Sequence, residues 1–384
     1  MRRIPASLSG LSAAFSTCAT PGRLASAPMP RRSLLAAGAA WLCAGDVQAL
    51  PARTLRFPRD FGAHPDFRTE WWYITGHAQS QGRTFGFQVT FFRARVDAAQ
   101  PLQSALAARQ LVFAHAAVTD LQGRKLWHDQ RIARMVPGLA QADTDDTRVT
   151  LRDWTLTREG PADSGHYRAR IGAGDFTLDL RFDSTQALLL QGRDGLSRKG
   201  PEATQASYYY SRPHLKASGS ITVQRERFGI DGTAWLDHEW SETLMHPEAV
   251  GWDWIGMNLF DGSALTAFRL RRKDGSALWD GGSFRSSPAT GSQLYIASRG
   301  ENEFLPGRTW RSPQTQAVYP VEWVVRTPAD FYTVRALLDA QELDSRRSTG
   351  AVYWEGLSEL IDSNGRPVGR GYLEMTGYAN PLQI

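Results

Sequence analysis

Cysteine is almost missing from this chain: among 384 residues only Cys18 and Cys43 carry a thiol, and both fall in a segment read below as a removable leader. The remainder therefore has no disulfide, no thiolate nucleophile and no cysteine-ligated metal. Helical periodicity is scarce as well. Only Pro101 to Arg109 and Phe331 to Leu338 read as short helical turns. Past the leader, no apolar run is long enough to cross a membrane as a helix. The histidines His64, His77, His115 and His128 form neither a close pair nor a His-Glu-x-x-His helix, so no metal is expected. No Gly-x-Ser-x-Gly elbow is present, which speaks against a serine hydrolase of that type. The Asp194 to Gly200 loop, with its Gly195-Leu196-Ser197 turn, lacks phosphate-loop spacing. No cofactor is expected either.

What is present starts with the leader, residues 1 to 49. Arg31-Arg32-Ser33 precedes an apolar run from Leu34 to Cys43, and Val47-Gln48-Ala49 has the small-x-small cleavage pattern. This predicts a secretory signal peptide, and the Arg pair followed by Leu34-Leu35 is compatible with twin-arginine export. Met29 is an alternative start. The net charge of the whole chain is +5. Removing the leader takes away Arg2, Arg3, Arg23, Arg31, Arg32 and Asp46, leaving +1, and nothing argues for nucleic acid. About 335 residues follow, enough for two ordinary domains.

Those residues read as all-β. Runs rich in Val, Ile, Phe, Tyr, Trp and Thr recur between turn signals at Gln81-Gly82, Gln122-Gly123, Asp231-Gly232, Asp261-Gly262, Asp274-Gly275 and Asn364-Gly365. A repeat is visible within them. Glu70-Trp71-Trp72-Tyr73-Ile74 leads through a turn to a strand ending Phe91-Phe92-Arg93; Asp253-Trp254-Ile255 leads through a turn to one ending Ala267-Phe268-Arg269. Two related antiparallel barrels, 50–246 and 247–384, account for both length and repeat.

The chemistry concentrates between Gly232 and Leu259, where four of the thirteen tryptophans fall beside Asp237, His238, Glu239 and Asp253. Strand alternation puts His238 and Trp240 on one face with Leu236, and Trp235, Asp237 and Glu239 on the other. It puts Trp252 and Trp254 opposite Asp253, Ile255, Met257 and Leu259. An ordinary strand with wet acids and dry aromatics would show this pattern. So would a pocket wall on which carboxyl, imidazole and indole groups converge.

The motifs together resemble the AttH-like/carotenoid 1,2-hydratase lipocalin family. They are Phe57-Pro58-Arg59-Asp60-Phe61-Gly62-Ala63-His64-Pro65, Glu70 to Gly76, Tyr208-Tyr209-Tyr210-Ser211, Gly232 to Ser241, Gly251-Trp252-Asp253-Trp254, Tyr353-Trp354-Glu355-Gly356 and Gly371 to Tyr378. The resemblance implies two tandem lipocalin-like barrels, export, and an apolar or isoprenoid-type ligand. Family members include hydratases, which are hydro-lyases, and companions of membrane transporters.

Two functions follow from it. One is hydration of an isolated C=C bond by a carboxylic acid kept protonated in an apolar pocket, with ring faces steadying the cation. The catalytic candidates are His238, Asp253, Asp237 and Glu239, with Asp253 preferred because it shares its face with apolar side chains. A bulge or the neighbouring strand would have to bring it to His238. Trp240, Trp252, Trp254, Glu70, Trp72 and Tyr73 are the candidate ligand-binding residues. The alternative is a non-catalytic periplasmic lipid carrier or transporter companion.

Overall fold

A computed structural model describes residues 49–104, 106–243 and 245–382; the leader, except for Ala49, lies outside them. The architecture is all-β, with three single 3-10 turns (Arg59–Phe61, Asp97–Ala99, Pro288–Thr290) and antiparallel sheets. The first sheet takes thirteen strands from Thr69 to Thr243, and the second takes ten from Ala249 to Met375. The chain passes from one to the other between Thr243 and Ala249.

In the first sheet Thr69–Ser80 lies between Arg83–Arg95 and Glu226–Thr243, and Ala206–Val223 follows. Right-handed strand twist curls the sheet until its ends approach. The isolated bridge Val136–Ala140 joins the chain after one edge strand to the other edge strand, and Arg131 donates from Nη2 to the Gly172 carbonyl at 2.7 Å, giving an almost closed barrel. Its interior is filled by Trp72, Phe87, Val89, Phe91, Trp154, Tyr167, Phe182 and their neighbours. In the second sheet Ala249–Leu259 lies between Ala264–Arg272 and Pro367–Met375, around Ile255, Met257, Trp323, Trp354 and Leu373. A third apolar cluster, including Tyr73, Trp235, Trp254, Phe268, Leu357 and Tyr372, joins the two sheets.

Several expectations are corrected. Phe331–Ala336 is a strand, paired with Glu322–Arg326, because its buried alternate side chains fill the second barrel. No helix forms among the described residues of 101–109. Asp231-Gly232 is no turn. The hairpin bends at Gln224-Arg225, both at positive φ, between paired Val223 and Glu226. Gly232 sits mid-strand, where a Cβ would meet the His77 carbonyl oxygen at 2.1 Å, so glycine there answers a close backbone approach. Gln81-Gly82 does form the tight turn, with both residues at positive φ and Ser80 opposite Arg83.

Candidate functional site between the barrels

From Ala234 to Ser241 the strand Glu226–Thr243 is buried on both faces. Leu236, His238 and Trp240 point into the first barrel, and Trp235, Asp237 and Glu239 point toward the second sheet; all six are buried. Two separate polar groups result.

Inside the first barrel the centre is the Glu70 carboxylate. It accepts from Arg93 Nε at 2.8 Å and from the His64 backbone N–H at 2.8 Å. His64 Nδ1 and His238 Nε2 reach its other oxygen at 2.7 and 2.9 Å. Burial alone would raise the Glu70 pKa, but the hydrogen bonds from His238 and His64 outweigh it and hold the carboxyl well below the usual range. Burial presses His238 down to about 4, so the ring is neutral, donating from Nε2 and accepting the Tyr210 hydroxyl on Nδ1 at 3.0 Å. His238 stacks on Trp72 and His64 stacks on Trp240, with ring centroids 4.6 and 3.8 Å apart. The ligand atoms of His64, Glu70 and His238 all lie within 4.8 Å of one another, a grouping no sequence spacing betrayed. These atoms already hydrogen-bond one another, and Arg93 occupies the second Glu70 oxygen. These contacts tie His64, Glu70, His238 and Arg93 into one buried buttress.

Asp253 plays the matching part in the second barrel. Arg269 Nε lies 2.7 Å from its carboxylate and the Tyr378 hydroxyl donates to it at 2.9 Å. Glu70 faces Arg93 across one hairpin and Asp253 faces Arg269 across the other, so the repeated acid and the repeated arginine form one buried ion pair per barrel. The expected Asp253–His238 site is therefore not formed: each belongs to a different barrel interior. Asp253→Asn should lower the unfolding free energy by roughly 3 kcal/mol, because the largely buried Arg269 loses its counter-charge. Urea unfolding measures this; an unchanged midpoint would count against the pairing.

The second group lines a cavity of about 610 Å³ between the sheets. Tyr73, Lys199, Tyr209, Asp237 and Glu239 come from the chain up to Thr243; Trp252, Trp254, Phe268, Tyr353, Glu355 and Glu374 come from the strands after Ala249. Of the expected site residues, then, the cavity gathers Asp237, Glu239, Trp252, Trp254, Tyr73 and the edge of Glu70. His238, Asp253, Trp240 and Trp72 do not line it. Asp237 accepts from Ser211 Oγ (2.5 Å), Trp235 Nε1 (2.7 Å) and the Tyr209 hydroxyl (2.7 Å). Burial still raises it to about 7 against those three donors. Glu239 is held by the Lys199 ammonium at 2.9 Å and by Ser207.

Glu355 and Glu374 were not among the candidate site residues. They face each other on neighbouring strands, Ala351–Ile361 and Pro367–Met375. Burial and the adjacent Glu374 charge push Glu355 well above the carboxylate range. Burial pushes Glu374 up to about 7, against the Trp252 indole and helped by the charges of Asp237 and Glu239. With no cation paired to either among the described residues, two buried carboxyls facing each other across paired strands disfavour ionising together, so the pair keeps a proton. Period-two alternation in Tyr353-Trp354-Glu355 would have put Tyr353 and Glu355 on one face and Trp354 in the core.

Fold and site define a tandem lipocalin-like protein whose aromatic cavity, with buried carboxyls in its wall, lies at the seam of two barrels. The AttH-like family profile matches residues 48–378, and the chain belongs to that family. An AttH-type protein of Nitrosomonas europaea has a solved structure 48% identical to this chain, covering 86% of it and 99% of its own length, with a TM-score of 0.79. Kievitone hydratase of Nectria haematococca shares the fold at 16% identity and a TM-score of 0.67, covering 85% of this chain and 94% of its own. The search among curated proteins gave no match.

Proposed function

We infer that the cavity binds an elongated apolar molecule of isoprenoid type and that the protein adds water across an isolated C=C bond in it. The observation that carries this reading is a proton-holding carboxyl pair, Glu355 and Glu374, set in the aromatic wall of a cavity of ligand size. An isolated alkene offers no carbonyl to polarise, so hydration starts with proton transfer to carbon. The pair supplies that proton. The tertiary cation lies against the faces of Tyr73, Trp252 and Trp254, each worth about 2 kcal/mol or more when dry. Water bonds to the cationic carbon and its proton returns to the pair, directly or relayed through Asp237, so one water is added and the acid is restored. That one relative in fold is a hydratase by name supports the direction of the chemistry.

Incubation with a long acyclic isoprenoid alkene in oxygen-18 water tests this by mass spectrometry. A labelled tertiary alcohol is the expected product. Quenching of tryptophan fluorescence by the alkene without any product would instead make the protein a carrier. Neither quenching nor product would reject the cavity as the binding site.

A further inference from the structure

We propose that the cavity between the barrels also takes a stable cation on an apolar body, an alkylammonium or quaternary ammonium, seated against Asp237, Glu355 and Glu374 and the surrounding rings. The inference rests on the reading of this cavity as the binding site and specifies the charge of what it holds.

The first ground is an imbalance of charge. Six carboxyl groups line the cavity; Glu70 and Asp97 are paired with Arg93 and Arg95, which leaves Asp237, Glu239, Glu355 and Glu374. Beside them stands one ammonium, Lys199, and it is engaged with Glu239 at 2.9 Å. The arginines of the lining are engaged elsewhere or lie at the edge. Arg93 is bound to Glu70, Arg95 is bound to Asp97 and Glu242, and Arg68 is exposed. Asp237, Glu355 and Glu374 are left with no cation among the described residues. Buried carboxyls are ordinarily paired, so their partner is to be sought in what enters the cavity.

A second ground is what the wall leaves unsatisfied. The Tyr73 hydroxyl and Glu355 Oε1 are buried without a hydrogen-bond partner among the described residues, and both residues line the cavity. Both oxygens carry lone pairs that an N–H or a cation's polarised C–H groups can meet. The third ground is that the cavity already seats a cation on ring faces. The Lys199 ammonium lies 4.2 Å from the Phe268 centroid and 4.7 Å from that of Tyr209. Tyr73, Trp252, Trp254 and Tyr353 extend this aromatic surface beyond the reach of Lys199. Rings plus carboxylates are the recognised means of holding quaternary ammonium. A cavity built to steady a transient carbocation would hold a permanent cation for the same reason.

Binding a cation must also expel protons. Asp237 and Glu374 titrate near 7 in a setting shared with Glu239, Lys199, His115 and the hydroxyls of Tyr73, Tyr209, Tyr353 and Tyr372. Burial keeps the tyrosines protonated and His115 neutral, leaving the three unpaired carboxyls as the groups that respond. An incoming positive charge favours their ionised forms.

The experiment compares decyltrimethylammonium, below its micelle-forming concentration, with decanol of the same chain length, using the whole protein. Tryptophan quenching and titration calorimetry in two buffers of different ionisation heat are read at about pH 6.5. The ammonium should bind about tenfold tighter or more, releasing about one proton, whereas decanol releases none. Glu355→Gln/Glu374→Gln should bring the ammonium down to decanol's affinity without changing decanol binding. If that variant does not fold, the wild-type pH profile decides: ammonium affinity should rise from about pH 5.5 to 8 and decanol affinity should not. Equal affinities with no proton release would overturn the proposal and leave the cavity as an apolar binding site. No binding of either probe would overturn both.

Discussion

Glu374→Gln is expected to reduce hydration by roughly 10²–10⁴-fold, the usual worth of a positioned acid, while leaving the protein folded. Glutamine keeps the size and one carbonyl oxygen of the side chain but has no acidic proton to give. The same change should alter the pH dependence of stability in a defined direction. Glu374 titrates at about 7 in the fold against an ordinary value of 4.5. Between those values the folded protein holds a proton that the unfolded chain has shed. The stability it contributes is complete below about 4.5 and is lost as pH rises through about 7. The variant should lack this loss and be the more stable of the two at alkaline pH. Urea midpoints across that range measure it. A variant with full turnover, or one with the wild-type pH slope, would remove Glu374 from the assigned role.

Glu70→Ala should have the opposite signature, a large loss of stability with no specific effect on the acid. Its carboxylate is the shared acceptor for Arg93, His64 and His238, and the side chain of Arg93 is fully buried. Removing one partner of such a pair costs about 3–5 kcal/mol, because the other charge stays buried alone. In chemical denaturation the midpoint should fall at unchanged slope. A midpoint within error of wild type would mean that Arg93 and the two imidazoles find other partners. Together the two substitutions separate the buttress from the chemistry.

That separation explains which parts of the site were legible. Strand alternation correctly divided His238 and Trp240 from Asp237 and Glu239, and Trp252 and Trp254 from Asp253. It could not say which side was chemical. Amphipathic reasoning works when one face is wet, and these strands are dry on both, one face in a barrel core and the other at the seam. The acid–tryptophan–arginine repeat was legible, and counting back from the Gln81-Gly82 turn pairs Glu70 with Arg93. Asp253, the acid of the second copy, was preferred as the catalytic acid; instead both repeated acids are buried ion-pair partners, and the tryptophan or phenylalanine beside each ion-pair partner faces the cavity. Glu355 and Glu374 were out of reach for another reason. They meet Asp237 only because strands more than a hundred residues further along the chain are folded against it, and no local pattern records that.

The interiors of both barrels are filled with side chains, and the room for a ligand is the space left where their outer walls fail to touch. In a hollow barrel the guest's girth is tied to strand number and tilt, which change only in whole strands. Here the gap widens or narrows with the seam side chains alone. Substitutions at positions such as Leu270, Met245 or Phe92 can resize the berth by single methylenes while both barrels keep their strands, their registers and their buried ion pairs.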